Sequence, residues 1–161
     1  MKNDFPSTPA VHFLRAQKVE FKPHLYPWEE HGGTARAAEM LGVPEHHVIK
    51  TLVMETDAHK PLLVLMHGDR EVSTKNLARA LGAKHVTPCE VPVAQKHTGY
   101  SVGGISPFGT RSQLPVYVEA SILALDRIYI NGGRRGFLVE IAPADLRRAL
   151  PVQEVDVAIE A

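Results

Sequence analysis

The sequence predicts a mixed α/β fold in which a mixed sheet or distorted barrel carries packed helices. Three observations lead there. Two neighbouring runs, HVIKTLVMET at 47–56 and LLVLM at 62–66, are rich in strand-forming residues and are separated by a Lys60-Pro61 break, the pattern of a hairpin. Several short segments carry the start and stop signals of helices. Their order mixes helices with hairpins instead of alternating strictly, which disfavours a doubly wound parallel sheet. With 161 residues, 44% apolar and 22% charged, the chain is expected to form one domain over 1–161 and to bury roughly 70% of its unfolded surface.

Taken in order, Thr8 and Pro9 suit the N-cap and first position of a helix running through AVHFLRAQ. Residues 19–25 alternate as a strand, and 26–33, YPWEEHGG, read as a loop. Thr34 is placed to cap a second helix, ARAAEML, which Gly42 ends and Pro44 keeps from resuming. After the hairpin, Ser73 caps a third helix, TKNLARAL, closed by Gly82. A short strand, KHVT, and a helical turn, EVPVAQKH, lead into the glycine-rich stretch TGYSVGGISPFG at 98–109. Beyond it PVYVEA, RIYIN and FLVEI read as strands, with NGGRRG as the turn before the last. Pro143 opens a final helix, ADLRRAL, and a polar tail begins at Pro151.

Composition excludes several function classes. No stretch approaches the roughly 20 apolar residues needed to cross a bilayer, and MKNDFPSTPAVHF lacks the basic and apolar regions of a signal peptide, so a cytoplasmic protein is expected. The single cysteine, Cys89, allows no internal disulfide and no multi-cysteine zinc site. Eighteen basic residues balance eighteen acidic ones, which makes the chain a poor autonomous binder of DNA or RNA and leaves room only for a local basic patch.

Lys50 is the first candidate for chemistry. Alternation puts Val48, Leu52 and Met54 on its face of the strand, an expensive place for an ammonium. It reads either as an edge-strand or snorkelling lysine, or as a partly desolvated lysine aimed at a carboxylate, phosphate or ester oxygen. Thr51 points to the other face and reads as an ordinary strand residue. The glycine stretch lacks the Gly-Lys-Ser/Thr of a P-loop and the spacing of a dinucleotide fingerprint. Gly103 and Gly104 form either a tight bulged turn or a pair of bare amides able to hold an anion or developing oxyanion. NGGRRG marks a hairpin turn whose Arg134 and Arg135 either solvate a face or meet phosphates. Nine histidines without ligand spacing indicate no metal site. No nucleophile elbow surrounds Ser101 or Ser106, and Cys89 has no histidine-paired signature. An enzyme made of these residues would work by positioning and oxyanion stabilisation.

IKTLV around Lys50, TGYSVGGISPFG, INGGRRG and VEIAPADLRRAL, in that order within about 9–150, resemble the YbaK/EbsC family of aminoacyl-tRNA deacylases, the superfamily of prolyl-tRNA synthetase editing domains. The resemblance implies a distorted six-stranded barrel and removal of a wrong amino acid from the 3′ end of a mischarged tRNA, with no metal or organic cofactor. It implies that Lys50 is central to activity, orienting the aminoacyl-adenosine end rather than acting as a base, and that the backbone of Gly103 faces the scissile ester. Tyr26 and Thr51 would line the pocket together with Gly104, Ile105 and Ser106, and Asn131, Gly132 and Gly133 would form its opposite wall.

Within that family the GGISP loop and the basic-RG…VEIAP run look most like the subgroup that clears cysteine from tRNA for proline. There the substrate thiol is expected to attack its own ester, a hydrolase- or lyase-type cleavage that suits a site without a nucleophile. TRSQLP after the glycine stretch differs from the alanine-clearing subgroup. Gly33 and Thr34 stand where a Phe-Gly pair is usual, Asn131 where serine is usual, and Leu138 where an acidic residue is frequent. Because the chain is neutral, prolyl-tRNA synthetase or another synthetase is expected to supply tRNA selection. Arg134 and Arg135, with Lys75, Arg79, Arg147 and Arg148, are candidates for contacting the acceptor stem or that partner; neither DNA nor a membrane is expected. The rival readings are a deacylase for another mischarged tRNA and a non-catalytic module using the same cleft.

Overall fold

A computed structural model describes residues 4–161; residues 1–3 of the N-terminal stretch lie outside the described residues. Five helices, α1 (Pro9–Ala16), α2 (Gly33–Leu41), α3 (Thr74–Leu81), α4 (Val91–Thr98) and α5 (Pro143–Ala149), accompany ten strands. The strands are β1 (Lys22–Leu25), β2 (Val48–Thr56), β3 (Pro61–His67), β4 (Arg70–Val72), β5 (Val86–Pro88), β6 (Val116–Glu119), β7 (Ile128–Arg134), β8 (Phe137–Ile141), β9 (Val152–Val155) and β10 (Ala158–Glu160). The mixed α/β class is as expected. The barrel is not: eight strands form one open mixed sheet in the order β1-β8-β7-β2-β3-β6-β9, with β5 also on β2, and β1 and β9 end the order without meeting. A separate two-stranded ribbon joins β4 to β10.

The two faces of β2 bury different things. Ile49 and Val53 join Leu63, Leu65, Ile130 and Val139 in the main core, which α1 covers with Ala10, Val11 and Leu14 and the glycine stretch with Tyr100 and Phe108. On the opposite face, α2 packs Ala37 and Ala38 against Val48 and Leu138. Further along that face α3 packs Leu77 and Ala78 near Met54, Val64 and Met66.

Four local expectations are corrected. Thr34 does not cap α2, which starts at Gly33 with Gly32 before it and no side-chain cap; its hydroxyl donates to Glu45 Oε2 at 2.7 Å and approaches the Gly68 carbonyl, a tie between segments distant in sequence. NGGRRG is not all turn: β7 runs on to Arg134 through a bulge between Asn131 and Arg134. The tail after Pro151 is not a tail, because β9 pairs in parallel with β6 and β10 antiparallel with β4. The buried Glu119 carboxylate holds the segment between them, accepting the Val157 N–H at 2.7 Å and the Ala158 N–H at 3.1 Å. Only residues 22–25 of the first expected strand pair, with β8. No helix among the described residues is long and apolar enough to cross a membrane.

Candidate functional site

One edge of β2 is covered along most of its length by β3. The other edge is paired with β7 only at Val48 and Ile49, and with β5 only from Met54 onward. Residues 50–52 therefore have no strand partner on that side, because β7 leaves the register at the Asn131 bulge. A cavity of about 420 Å³ lies where the sheet parts. Since side chains alternate about a strand, a gap at its edge is the one place where Lys50 from one face and Thr51 from the other line the same space. Tyr26, Gly103, Ile105, Asn131, Arg135 and Leu138 are among the other walls, together with Glu29, Glu30 and His31 from the loop after β1 and Gly33 and Thr34 at the start of α2.

Lys50 is partly buried, and among the described residues it forms no ion pair within 4.0 Å. The Thr51 hydroxyl is buried with no hydrogen-bond partner. An unsatisfied buried hydroxyl costs about 1–3 kcal/mol, and here it borders a cavity that a polar ligand can enter. Burial raises the Tyr26 phenol above its ordinary range and the nearby Arg36 guanidinium partly offsets this, so the hydroxyl stays protonated and able to donate. The Tyr26 backbone N–H donates to the Gly136 carbonyl at 3.0 Å, which pins the loop after β1 to the β7–β8 turn.

The glycine stretch closes on itself through the buried Tyr100, whose hydroxyl donates to the Phe108 carbonyl. Gly103 has φ +95°, and a Cβ there would sit 3.2 Å from both Arg135 Cγ and Trp28 Cζ2. Its carbonyl accepts from Asn131 Nδ2 at 3.1 Å, and its N–H makes no hydrogen bond among the described residues. Gly104 differs. Its N–H is taken by the Ser101 carbonyl at 2.8 Å, and a Cβ on it would lie 2.8 Å from the backbone nitrogen of Arg135. The expected pair of free amides is thus a single one, and Gly104 is bare because a hairpin backbone presses on it.

Gly104, Ser106, Gly132, Gly133 and Arg134 do not line the cavity. Ser106 is fully buried and accepts the Phe108 N–H at 3.1 Å; Gly132 lies under the Phe137 ring, and Gly133 under Tyr100 and Thr8. Arg134 is exposed beside a neighbouring groove. Arg135 does line the cavity: its guanidinium lies 4.4 Å from the centre of the Trp28 ring and its Nε donates to the Val102 carbonyl at 2.8 Å. Sequence reasoning passes over Trp28 and Val102. A lone tryptophan two residues after Tyr26, in a loop otherwise rich in glycine and acidic side chains, is the signal that could have found the first.

Residues 29–149 match the family model described as an aminoacyl-tRNA editing domain. The chain is 32% identical over 137 residues to EbsC of Enterococcus faecalis, named as a candidate Cys-tRNA(Pro)/Cys-tRNA(Cys) deacylase, covering 84% of each. It is 30% identical over 108 residues to a proline–tRNA ligase of Thermodesulfovibrio yellowstonii, covering 67% of this chain and 17% of the ligase. Among solved structures, hypothetical protein APE2540 superposes with a TM-score of 0.86 at 24% identity over 94% of this chain and 99% of that one. A candidate trans-editing enzyme for prolyl-tRNA synthetase does so with 0.85 at 21% identity over 96% and 99%. Those two likenesses carry the fold; the family model, spanning most of the chain around a cavity that holds Lys50 and Gly103, places this protein in the aminoacyl-tRNA editing domain family.

Proposed function

We propose that this chain is a deacylase acting on mischarged tRNA, that cysteine on tRNA for proline is its substrate, and that the cavity at the break in the sheet is where the ester is cleaved. The observation that carries this reading is the meeting, among the described residues, of a Lys50 ammonium without an ion pair and an uncommitted Gly103 amide in one cavity, with no serine, threonine or cysteine there hydrogen-bonded to a histidine. Such a site can hold and polarise an ester but has no side chain prepared to attack it.

Lys50 attracts the oxygen-rich aminoacyl-adenosine end, while the Gly103 N–H donates to the ester carbonyl oxygen as negative charge develops on it. The Thr51 hydroxyl and the protonated Tyr26 phenol offer hydrogen bonds to the substrate's polar groups. The attacking atom comes from the substrate. The cysteinyl sulfur bonds to the ester carbonyl carbon, the bond from that carbon to the ribose oxygen breaks, and the thiol proton ends on the released ribose hydroxyl. Free tRNA leaves, and water opens the four-membered cyclic thioester to cysteine. Gly33 and Thr34 leave one wall small, so the thiol, more than pocket size, distinguishes cysteine; a missing methylene alone is worth only about 1–3 kcal/mol. A synthetase, prolyl-tRNA synthetase first, supplies the tRNA selection that a neutral chain lacks.

The test is hydrolysis of cysteinyl- and alanyl-tRNA for proline by wild type, Lys50→Ala and Lys50→Met. The expected result is rapid loss of the cysteinyl ester, slower loss of the alanyl ester, and at least about a hundredfold decrease in both Lys50 variants, the scale of losing a principal electrostatic contact. Equal cleavage of both esters would reject thiol assistance, and full activity in Lys50→Met would reject the assigned role of the ammonium.

A further inference from the structure

The cations singled out in the sequence have different fates. Arg147 is paired with Glu154 at 3.1 Å, and Arg148 is held by Asp145 and by the carbonyls of Gln17 and Lys18. Lys75 and Arg79 are not spent in this way. They lie four residues apart on α3, and with Lys84 and His85 from the connection to β5 they line a groove of about 500 Å³ that has no carboxylate in its lining. All four are exposed, and none of Lys75, Arg79 and Lys84 forms an ion pair within 4.0 Å among the described residues. Asp57 lies beside this segment, its carboxylate accepting the Lys84 backbone N–H at 3.0 Å, so one negative charge stands against the three cations. In a chain whose charges balance overall, this groove is a local positive surface.

Its position relates it to the cavity. Val48, Lys50, Leu52 and Met54 share one face of β2; α2 covers the Val48 end, α3 covers the Met54 end, and Lys50 lies between. Val86 in the groove's lining pairs with Thr56, six residues after Lys50 along β2 and so about 20 Å away at the rise of a strand, a distance that a few nucleotides of a single strand span. We propose that this groove binds the sugar–phosphate backbone of the tRNA whose aminoacyl end enters the cavity. Two lysines and an arginine spaced along a concave surface whose lining holds no carboxylate fit a row of phosphates. Contacts from these cations to phosphate carry no sequence information, so the grip is expected to be independent of sequence and sensitive to salt. This assignment of the ligand rests on the deacylase reading given above.

The test is binding of uncharged tRNA for proline across a potassium chloride series, by wild type and by the combined Lys75→Ala, Arg79→Ala, Lys84→Ala variant, with circular dichroism to verify folding. The expected result is about a tenfold weakening at low salt and a plot of log affinity against log salt shallower by about two, the sum over three lost phosphate contacts. Lys75→Arg with Lys84→Arg should retain both affinity and slope. Cleavage of a cysteinyl ester on adenosine alone should be unchanged, whereas KM for the full tRNA rises and kcat holds. Identical affinity and slope in wild type and variant would overturn the proposal, as would a wild type that does not bind tRNA. A defect appearing only when the synthetase is present would assign the groove to a protein partner and overturn it equally. Because uncharged tRNA undergoes no chemistry, a wild type that binds it but cleaves no ester would defeat the deacylase reading and leave the groove assignment standing.

Discussion

Asn131 fastens Gly103 to the β7 bulge. Its side-chain Nδ2 donates to the Gly103 carbonyl at 3.1 Å, while its Oδ1 accepts the N–H groups of Gly133 and Arg134 at 2.7 and 3.1 Å. One amide thus sets both the bulge that opens the sheet and the peptide that faces the gap. Asn131→Ala is expected to lower stability by about 1–2 kcal/mol from the lost bonds, and to lower kcat well beyond what unfolding accounts for. Asn131→Ser can still accept from the bulge, so it should keep most of the stability and most of the turnover. Chemical denaturation alongside turnover measures both; parallel losses in the two variants would reject the clamp.

The adjacent glycines should respond in opposite ways. Alanine at Gly103 must take a left-handed backbone, costing about 1–2 kcal/mol, but meets side-chain atoms of Arg135 and Trp28 rather than backbone. Alanine at Gly104 meets the Arg135 backbone nitrogen and must pry the hairpin away. Gly104→Ala is expected to be the more destabilising, by about 3 kcal/mol or more, and Gly103→Ala the more damaging to turnover per unit of stability lost. Thermal melts and single-turnover rates together decide this, and a reversed order would sink it.

Thr51→Val removes a buried hydroxyl that has no partner in the free protein. Stability should hold or rise by about 1 kcal/mol, because an unsatisfied group is replaced by an apolar one of similar shape. Turnover should fall if substrate supplies the missing bond. A loss of stability in Thr51→Val would mean that the hydroxyl is already satisfied in the free protein.

His67 is 1% exposed, stacked on His46 with ring centres 3.7 Å apart, and held by the His46 carbonyl and the Ser121 hydroxyl at 2.7 Å each. Burial pulls its pKa below the usual histidine range, opposed in part by the bond to the His46 carbonyl. In the unfolded chain it titrates near about 6.5. Between the lower native value and that pH the unfolded state binds more protons, so this contribution is complete above about pH 6.5 and is lost as the pH falls toward and through the native value. Wild type should therefore lose melting temperature on acidification from about pH 6.5 more steeply than His67→Gln. Superimposable pH profiles for the two proteins would exclude His67 as the source.

Element positions were legible where the signal was local. Thr8 caps α1 and accepts the Val11 N–H at 3.1 Å, Ser73 caps α3, and Gly42 and Gly82 end their helices in the left-handed conformation, each as its sequence context requires. The errors fall where a partner far along the chain decides. Thr34 has the chemistry of a cap, but Glu45 and Gly68 compete for its hydroxyl. The segment after Pro151 looks polar because Gln153 and Glu154 face water, yet Val155 and Val157 are buried and Glu119 secures the backbone beside them.

For the site, residue type and alternation were enough to pick out the groups that carry chemistry: a lysine on an apolar strand face, a glycine stretch without a nucleophile, and motifs that resemble one family. Those properties are short-range, set by alternation and by residue type. Which of them meet depends on pairing across the sheet. The parting of β2 from β7 at the Asn131 bulge brings Lys50, Thr51 and Gly103 around one cavity, and places Ser106, Gly132 and Gly133 in packing contacts outside it. It also gathers Lys75, Arg79 and Lys84 into a groove while pairing off Arg147 and Arg148. A strand's register and a charge's neighbours depend on residues dozens of positions away, so neither can be read from spacing along the chain.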